Sequence, residues 1–168
     1  MSISNHLQIL LLVFPVFLLA SAICDVLTLK LPNALNLTGL ILFFPISWLI
    51  GMTMDDILMH LLISFCILLI GFGAFAAGLF GGGDSKFIAV IALWIGFDPL
   101  LDFVFYTALF GGVMGLMVLI GGRFIPDQYQ PPFFRAMSER RVVPYGTAMS
   151  LAALLVYRDT TIWSLLMS

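Results

Sequence analysis

Two acidic residues stand where acids are costly. Asp84 follows three glycines in Gly81-Gly82-Gly83-Asp84-Ser85-Lys86, between an apolar run from Ile57 to Phe80 and another from Phe87 to Phe97. Asp25 lies near the end of a first apolar run, Leu7 to Leu29, with Lys30 just beyond. A carboxylate beside hydrocarbon costs roughly 2.5–3.5 kcal/mol on insertion scales, so two of them need a use. Two carboxylates sharing a site cannot both ionise readily and hold one proton between them. The ionised member takes a proton from water, and the water attacks a peptide carbonyl. The protonated member donates to the carbonyl oxygen or to the leaving amine. Such a reaction requires neither a metal nor a covalent intermediate. Asp25 and Asp84 are therefore the candidate catalytic pair. Asp84 is expected to begin a helix, whose dipole favours its anion. That makes Asp84 the expected base and Asp25 the expected acid. Gly81 to Gly83 permit a close backbone approach or a tight turn with positive φ.

The elements that must position this pair follow from composition. The chain of 168 residues is 62% hydrophobic and 10% charged, against about 25% charged in soluble domains; its mean hydropathy is +1.15. Long apolar runs recur along it, several near the ~20 residues that cross a bilayer core of about 30 Å as a helix. They are continuous, which excludes the alternating segments of a β-barrel. The expected class is all-α: a polytopic membrane helix bundle of six transmembrane helices, forming one domain over residues 1–168. Ala20-Ser21-Ala22 resembles a signal-peptidase site. No Lys or Arg precedes the run, and the run continues past the site, so a retained helix is expected.

Pro32 biases Leu31 away from helix, and Asn33 is expected to cap the second helix. That second run, Ala34 to Met52, is expected to kink at Pro45. Thr53-Met54-Asp55-Asp56 offers an N-cap. The third run carries Gly71, Gly73, Ala74, Ala76, Ala77 and Gly78 in its second half, where small residues are expected to pack centrally. The fourth, Asp84 through Phe97, is only about 21 Å of helix. Since Gly96-Phe97-Asp98-Pro99 reads as its outer boundary, Asp84 is expected to lie recessed. The fifth runs from Leu100 to Ile120, a polar segment fills Gly121 to Val143, and the sixth starts at Pro144.

Lys30, Lys86, Arg123, Arg135, Arg140 and Arg141 fall on alternate connections, while Asp55, Asp56 and Asp98 fall on the others. The positive-inside rule then places both termini outside and both aspartates at cytoplasmic helix ends. Lys30 and Lys86 read as topology anchors, and the arginine-rich loop as an anchor that can also hold a polar peptide. His6 and His60 read as ordinary residues of the outer interface. Cys24 and Cys66 read as packing residues, and no C-x-x-C pair supports zinc or thioredoxin chemistry. The glycine loop lacks the ending and the βαβ context of a nucleotide-binding loop. No cofactor, metal or nucleic-acid partner is expected; the lipid bilayer is. The net charge of −2 says little more about partners.

These motifs resemble a known family. Gly81-x-Gly83-Asp84 is similar to the G-x-G-D motif of intramembrane aspartyl proteases, and Asp25 with Lys30, Leu31, Pro32 and Asn33 resembles the first-aspartate pattern of the type IV prepilin peptidases. Arg141-Val142-Val143-Pro144-Tyr145-Gly146 is similar to the start of that family's last helix. The resemblance implies an aspartic endopeptidase of the bacterial inner membrane that removes the leader from prepilins and pseudopilins at the cytoplasmic face. It carries over Asp25 and Asp84 as the catalytic pair, with Gly81, Gly83, Lys86, Pro32 and Asn33 in support. Larger members have a zinc-binding insertion and also methylate the new N-terminus. Here Ala34 follows Lys30 after only Leu31, Pro32 and Asn33, so no methyltransferase activity is expected. The short form is similar to the subfamily serving the tight-adherence (Flp) pilus.

Three other readings compete. A lipoprotein signal peptidase has four helices and Asn-containing motifs that are missing here. A proton-coupled transporter would show an internal repeat, and none is found. A pilus-assembly scaffold would keep the same fold with idle acids.

Overall fold

A computed structural model describes residues 3–79, 81–140 and 142–167. Arg141 and Phe80 lie outside the described residues, as do the side chains of His6 and Arg140. The described chain is helical throughout. The α-helices are α1 (Ile3–Thr28), α2 (Asn33–Leu49), α3 (Met54–Ala76), α4 (Gly82–Ile95), α5 (Leu100–Phe124), α6 (Pro132–Arg140), α7 (Tyr145–Val156) and α8 (Thr161–Met167). Short 3-10 turns at Asp127–Tyr129 and Tyr157–Asp159 join the last elements. Three spans are long and apolar enough to cross a membrane: Ile9–Thr28, Met54–Ala76 and Leu100–Phe124, while α2 is a shorter apolar helix.

The bundle is organised around α4. Its segment from Phe87 to Ile95 is buried with the exception of the partly exposed Ile88. Helices α3, α2, α7 and α8 pack against it. Trp94 sits at the centre, fully buried, with its ring stacked on Phe14 at 4.8 Å and edge-on to Phe43 at 5.9 Å. Its indole N–H donates to the Gly39 carbonyl at 2.9 Å, which satisfies the polar end of a ring this deep in apolar surroundings. The approach is close, since a Cβ on Gly39 would stand 2.6 Å from the Phe17 ring and 2.7 Å from Val90. Polar side chains tie α3 to α4 along their length. His60 Nδ1 donates to the Leu93 carbonyl at 2.7 Å, Ser64 Oγ to Ala89 at 2.8 Å, and Ser85 Oγ to Gly71 at 2.8 Å.

Several expectations need correction. His60 is buried and held against α4, with Gly96 (φ 77°) passing directly beneath its ring. In the glycine-rich half of α3 only Gly71 is buried, because only it faces Ser85; Gly73, Ala76, Ala77 and Gly78 are exposed. Helix α2 contains Pro45 within its span. Residue Asn33 does not cap it: Pro32 holds the N-cap position, with no side-chain cap bond. Thr53 does cap α3, accepting from the Asp56 N–H at 3.1 Å. The polar stretch 121–143 contains the end of α5 and a further helix, α6. That helix docks through Phe134 and Ser138 against Gly121 and Gly122, where side chains on α5 would collide. After Val156 the chain turns at Tyr157–Asp159 and restarts as α8.

Candidate active site

Helix α1 ends in a way that presents Asp25 to the bundle. Leu29 adopts a left-handed φ of 54° and its N–H returns to the Asp25 carbonyl at 2.7 Å, the closure usually left to glycine. Leu31 then turns inward and is buried, while Lys30, Pro32 and Asn33 stay exposed. The Asp25 side chain is itself buried, at 4% exposure.

Its carboxylate is received by the first turn of α7. Oδ2 accepts from the Thr147 backbone N–H at 2.8 Å and from the Thr147 hydroxyl at 3.2 Å. The same N–H also faces the Pro144 carbonyl at 3.2 Å, the longer of its two contacts, as first-turn donors of a helix are the ones able to receive an anion. The Thr147 hydroxyl has one proton to give and shares it with the Ala22 carbonyl, also at 3.2 Å, one turn earlier on α1. Gly146 allows this approach, since a Cβ there would lie 2.9 Å from Asp25 Oδ2 and 2.7 Å from a methyl of Leu31.

Asp84 lies in the first turn of α4, which begins two residues earlier than expected, at Gly82. Gly81 is the N-cap, extended at φ −72° and ψ 145°. The Asp84 carboxylate folds back over Gly81 and accepts its backbone N–H, half of a capping box. None of the three loop glycines has positive φ; their use is proximity. At Gly83 a Cβ would meet the Leu31 carbonyl at 3.2 Å. Ser85 anchors the turn from behind, fully buried, donating to Gly71 and, at 3.1 Å, to the Gly81 carbonyl.

The two turns are thus brought together. Leu31 touches Gly83 beside Asp84 and Gly146 beside Asp25. Asn36 Nδ2 reaches toward the Gly83 carbonyl at 3.5 Å, and its buried Oδ1 has no partner among the described residues. Lys86 Nζ donates to Asn33 Oδ1 at 2.9 Å, which joins two of the expected supporting residues. Pro32, between them and Leu31, makes the bend. The Asp25 charge acts through space on Asp84. Neither aspartate forms an ion pair among the described residues, where the one salt bridge is Arg135–Glu139 on α6. No cluster of potential metal ligands occurs among the described residues.

Sequence reading missed Thr147, Asn36, Ser85 and the bridging role of Leu31. Thr147 is 122 residues from Asp25, and nothing local marks it. The adjacent Gly146 was marked only through the resemblance.

Among known proteins, the model of the type IV leader peptidase family matches residues 12–116, a stretch that contains both aspartates. No curated protein and no solved structure matches the chain.

Proposed function

We propose that this chain, which belongs to the type IV leader peptidase family, is an aspartic endopeptidase acting within the membrane through Asp25 and Asp84. The observation that carries the reading is the convergence of two acids from separate helices. Asp84 lies in the first turn of α4, the Asp25 carboxylate is received by the first turn of α7, and Leu31 packs against Gly83 of one and Gly146 of the other. A pair so placed holds one proton, and it takes a proton from water while supplying one to a peptide carbonyl. The family supports a leader peptidase. The finer reading is removal of the leader from prepilins and pseudopilins, with Flp-type prepilins as the substrate class, at the cytoplasmic face of a bacterial inner membrane. The proposed arrangement has six membrane spans and both termini outside. The alternation of basic and acidic connections supports it. Lack of methyltransferase activity is proposed from the short connection that joins Lys30 to Ala34.

The test is co-expression with a Flp-type prepilin, following leader removal by gel shift. Asp25→Asn and Asp84→Asn are each expected to abolish cleavage at unchanged membrane levels. Normal cleavage by either variant removes that residue from the pair.

A further inference from the structure

The two carboxylates are not held alike. Asp25 receives the backbone N–H groups of Thr147, at 2.8 Å to Oδ2, and of Gly146, and its Oδ2 shares the one proton of the Thr147 hydroxyl with the Ala22 carbonyl, each at 3.2 Å, inside a pocket that leaves Asp25 4% exposed. Asp84 is more open and receives one donor, the Gly81 N–H of its own turn. Donors aimed at a carboxylate oxygen favour its ionised form over its protonated form. The N-terminal dipole ends of α7 and α4 act on Asp25 and Asp84 alike, and Asp25 also stands in the last turn of α1, whose dipole end opposes an anion. What sets Asp25 apart in favour of its anion is the larger number of donors it receives.

We infer that Thr147 is a positioning residue that holds Asp25 as the ionised member of the pair, so that Asp25 is the base toward water and Asp84 carries the shared proton. This rests on the reading of the pair as catalytic and reverses the roles expected from sequence. In the forward step the water oxygen bonds to the peptide carbonyl carbon as its proton passes to Asp25. The carbonyl oxygen takes the proton of Asp84, giving a neutral tetrahedral diol. The C–N bond then breaks, the amine takes the proton from Asp25, and Asp84 regains its proton as the carbonyl reforms. Protons balance and the pair returns to its starting state. With Oδ2 committed to Thr147, the other oxygen of Asp25 is the one that receives the water proton.

Few other charges face Asp25. Of the elements packed against α1, α7 carries Tyr145 as its one titratable residue, and α2 and α8 carry none. From α4 the facing groups are Asp84 and, beyond it, Lys86, which is engaged with Asn33. On its own helix and turn are Cys24, near Thr28 and the Lys30 carbonyl, and the exposed Lys30.

The test uses the full-length purified protein and a prepilin substrate, with kcat/KM followed against pH for wild type, Thr147→Val and Thr147→Ser. Valine keeps the shape and the backbone donor but removes the hydroxyl. It is expected to move the acid limb of the profile upward by about one pH unit, and serine to restore it. Movement of the alkaline limb instead would assign the base to Asp84, and a profile lowered uniformly or unchanged would leave Thr147 no positioning role. Each of these overturns the inference while inactive Asp→Asn variants leave the catalytic pair standing. Should Thr147→Val not fold, difference infrared spectra at neutral pH decide. Asp25→Asn is expected to remove an ionised carboxylate band and Asp84→Asn a protonated carbonyl band; the reverse assignment overturns the proposal.

Discussion

Gly146→Ala tests whether the fit around Asp25 matters to chemistry rather than to folding. The added Cβ would stand 2.9 Å from Asp25 Oδ2, 3.0 Å from its Cγ and 2.7 Å from Leu31 Cδ1. The leucine methyl can swing away. The carboxylate cannot do so freely, because Thr147 holds it at 2.8 and 3.2 Å. Ordinary carbon–carbon contact is about 3.5–4.0 Å, so Cγ must retreat by roughly 0.5–1 Å. That displacement stretches both donor contacts toward or past hydrogen-bond range. A misplacement of about 1 Å at a reacting group costs around 10²-fold in rate. The stability change is smaller. Overpacking costs about 1–3 kcal/mol, and alanine returns up to about 1 kcal/mol over glycine in a helix. Gly146 has no positive φ to forbid alanine. A net loss of roughly 0–2 kcal/mol lowers Tm by at most about 8 °C in a chain of this size. The assay is leader removal by the purified variant in detergent, with its Tm measured in parallel. A variant that keeps more than half the wild-type rate refutes the reasoning. So does one whose activity falls only because the protein unfolds.

Two further outcomes concern the scaffold. His60→Ala is expected to cost about 2–4 kcal/mol, from the cavity and the lost bond to Leu93, while cleavage per folded molecule stays near wild type; thermal denaturation beside the cleavage assay checks both. Gly39→Ala forces a methyl into the Phe17 ring and Val90 and is expected to lower stability by about 1–3 kcal/mol. An unchanged Tm would show that the contact relaxes without cost.

The acids and the helical class were legible because both rest on strong local signals: charge within hydrocarbon, and long apolar runs. The shortness of α4 was legible for the same reason, from the glycines and the Phe97-Asp98-Pro99 break. Partners across the bundle were not. Thr147 is an unremarkable hydroxyl on an apolar helix, and only the tertiary path brings it to Asp25. His60 read as an interface residue because a histidine near a run's end gives no sign of facing a carbonyl on another helix. The glycines of α3 show how a composition signal overreaches. Small residues permit close packing but do not say which neighbour arrives, and only Gly71 met one. Helix α6 was hidden in a stretch whose prolines and charges suggested loop.

The ties between α3 and α4 come at three levels, His60 to Leu93, Ser64 to Ala89 and Ser85 to Gly71. A helix riveted at top, middle and bottom has no vertical travel: sliding it by one turn would break all three at once in a medium offering no replacement donors. Asp84 therefore keeps its height relative to α3. Helices α3 and α4 form one tied unit under Asp84, and the contacts that hold Asp25 belong to another, α1 with α7.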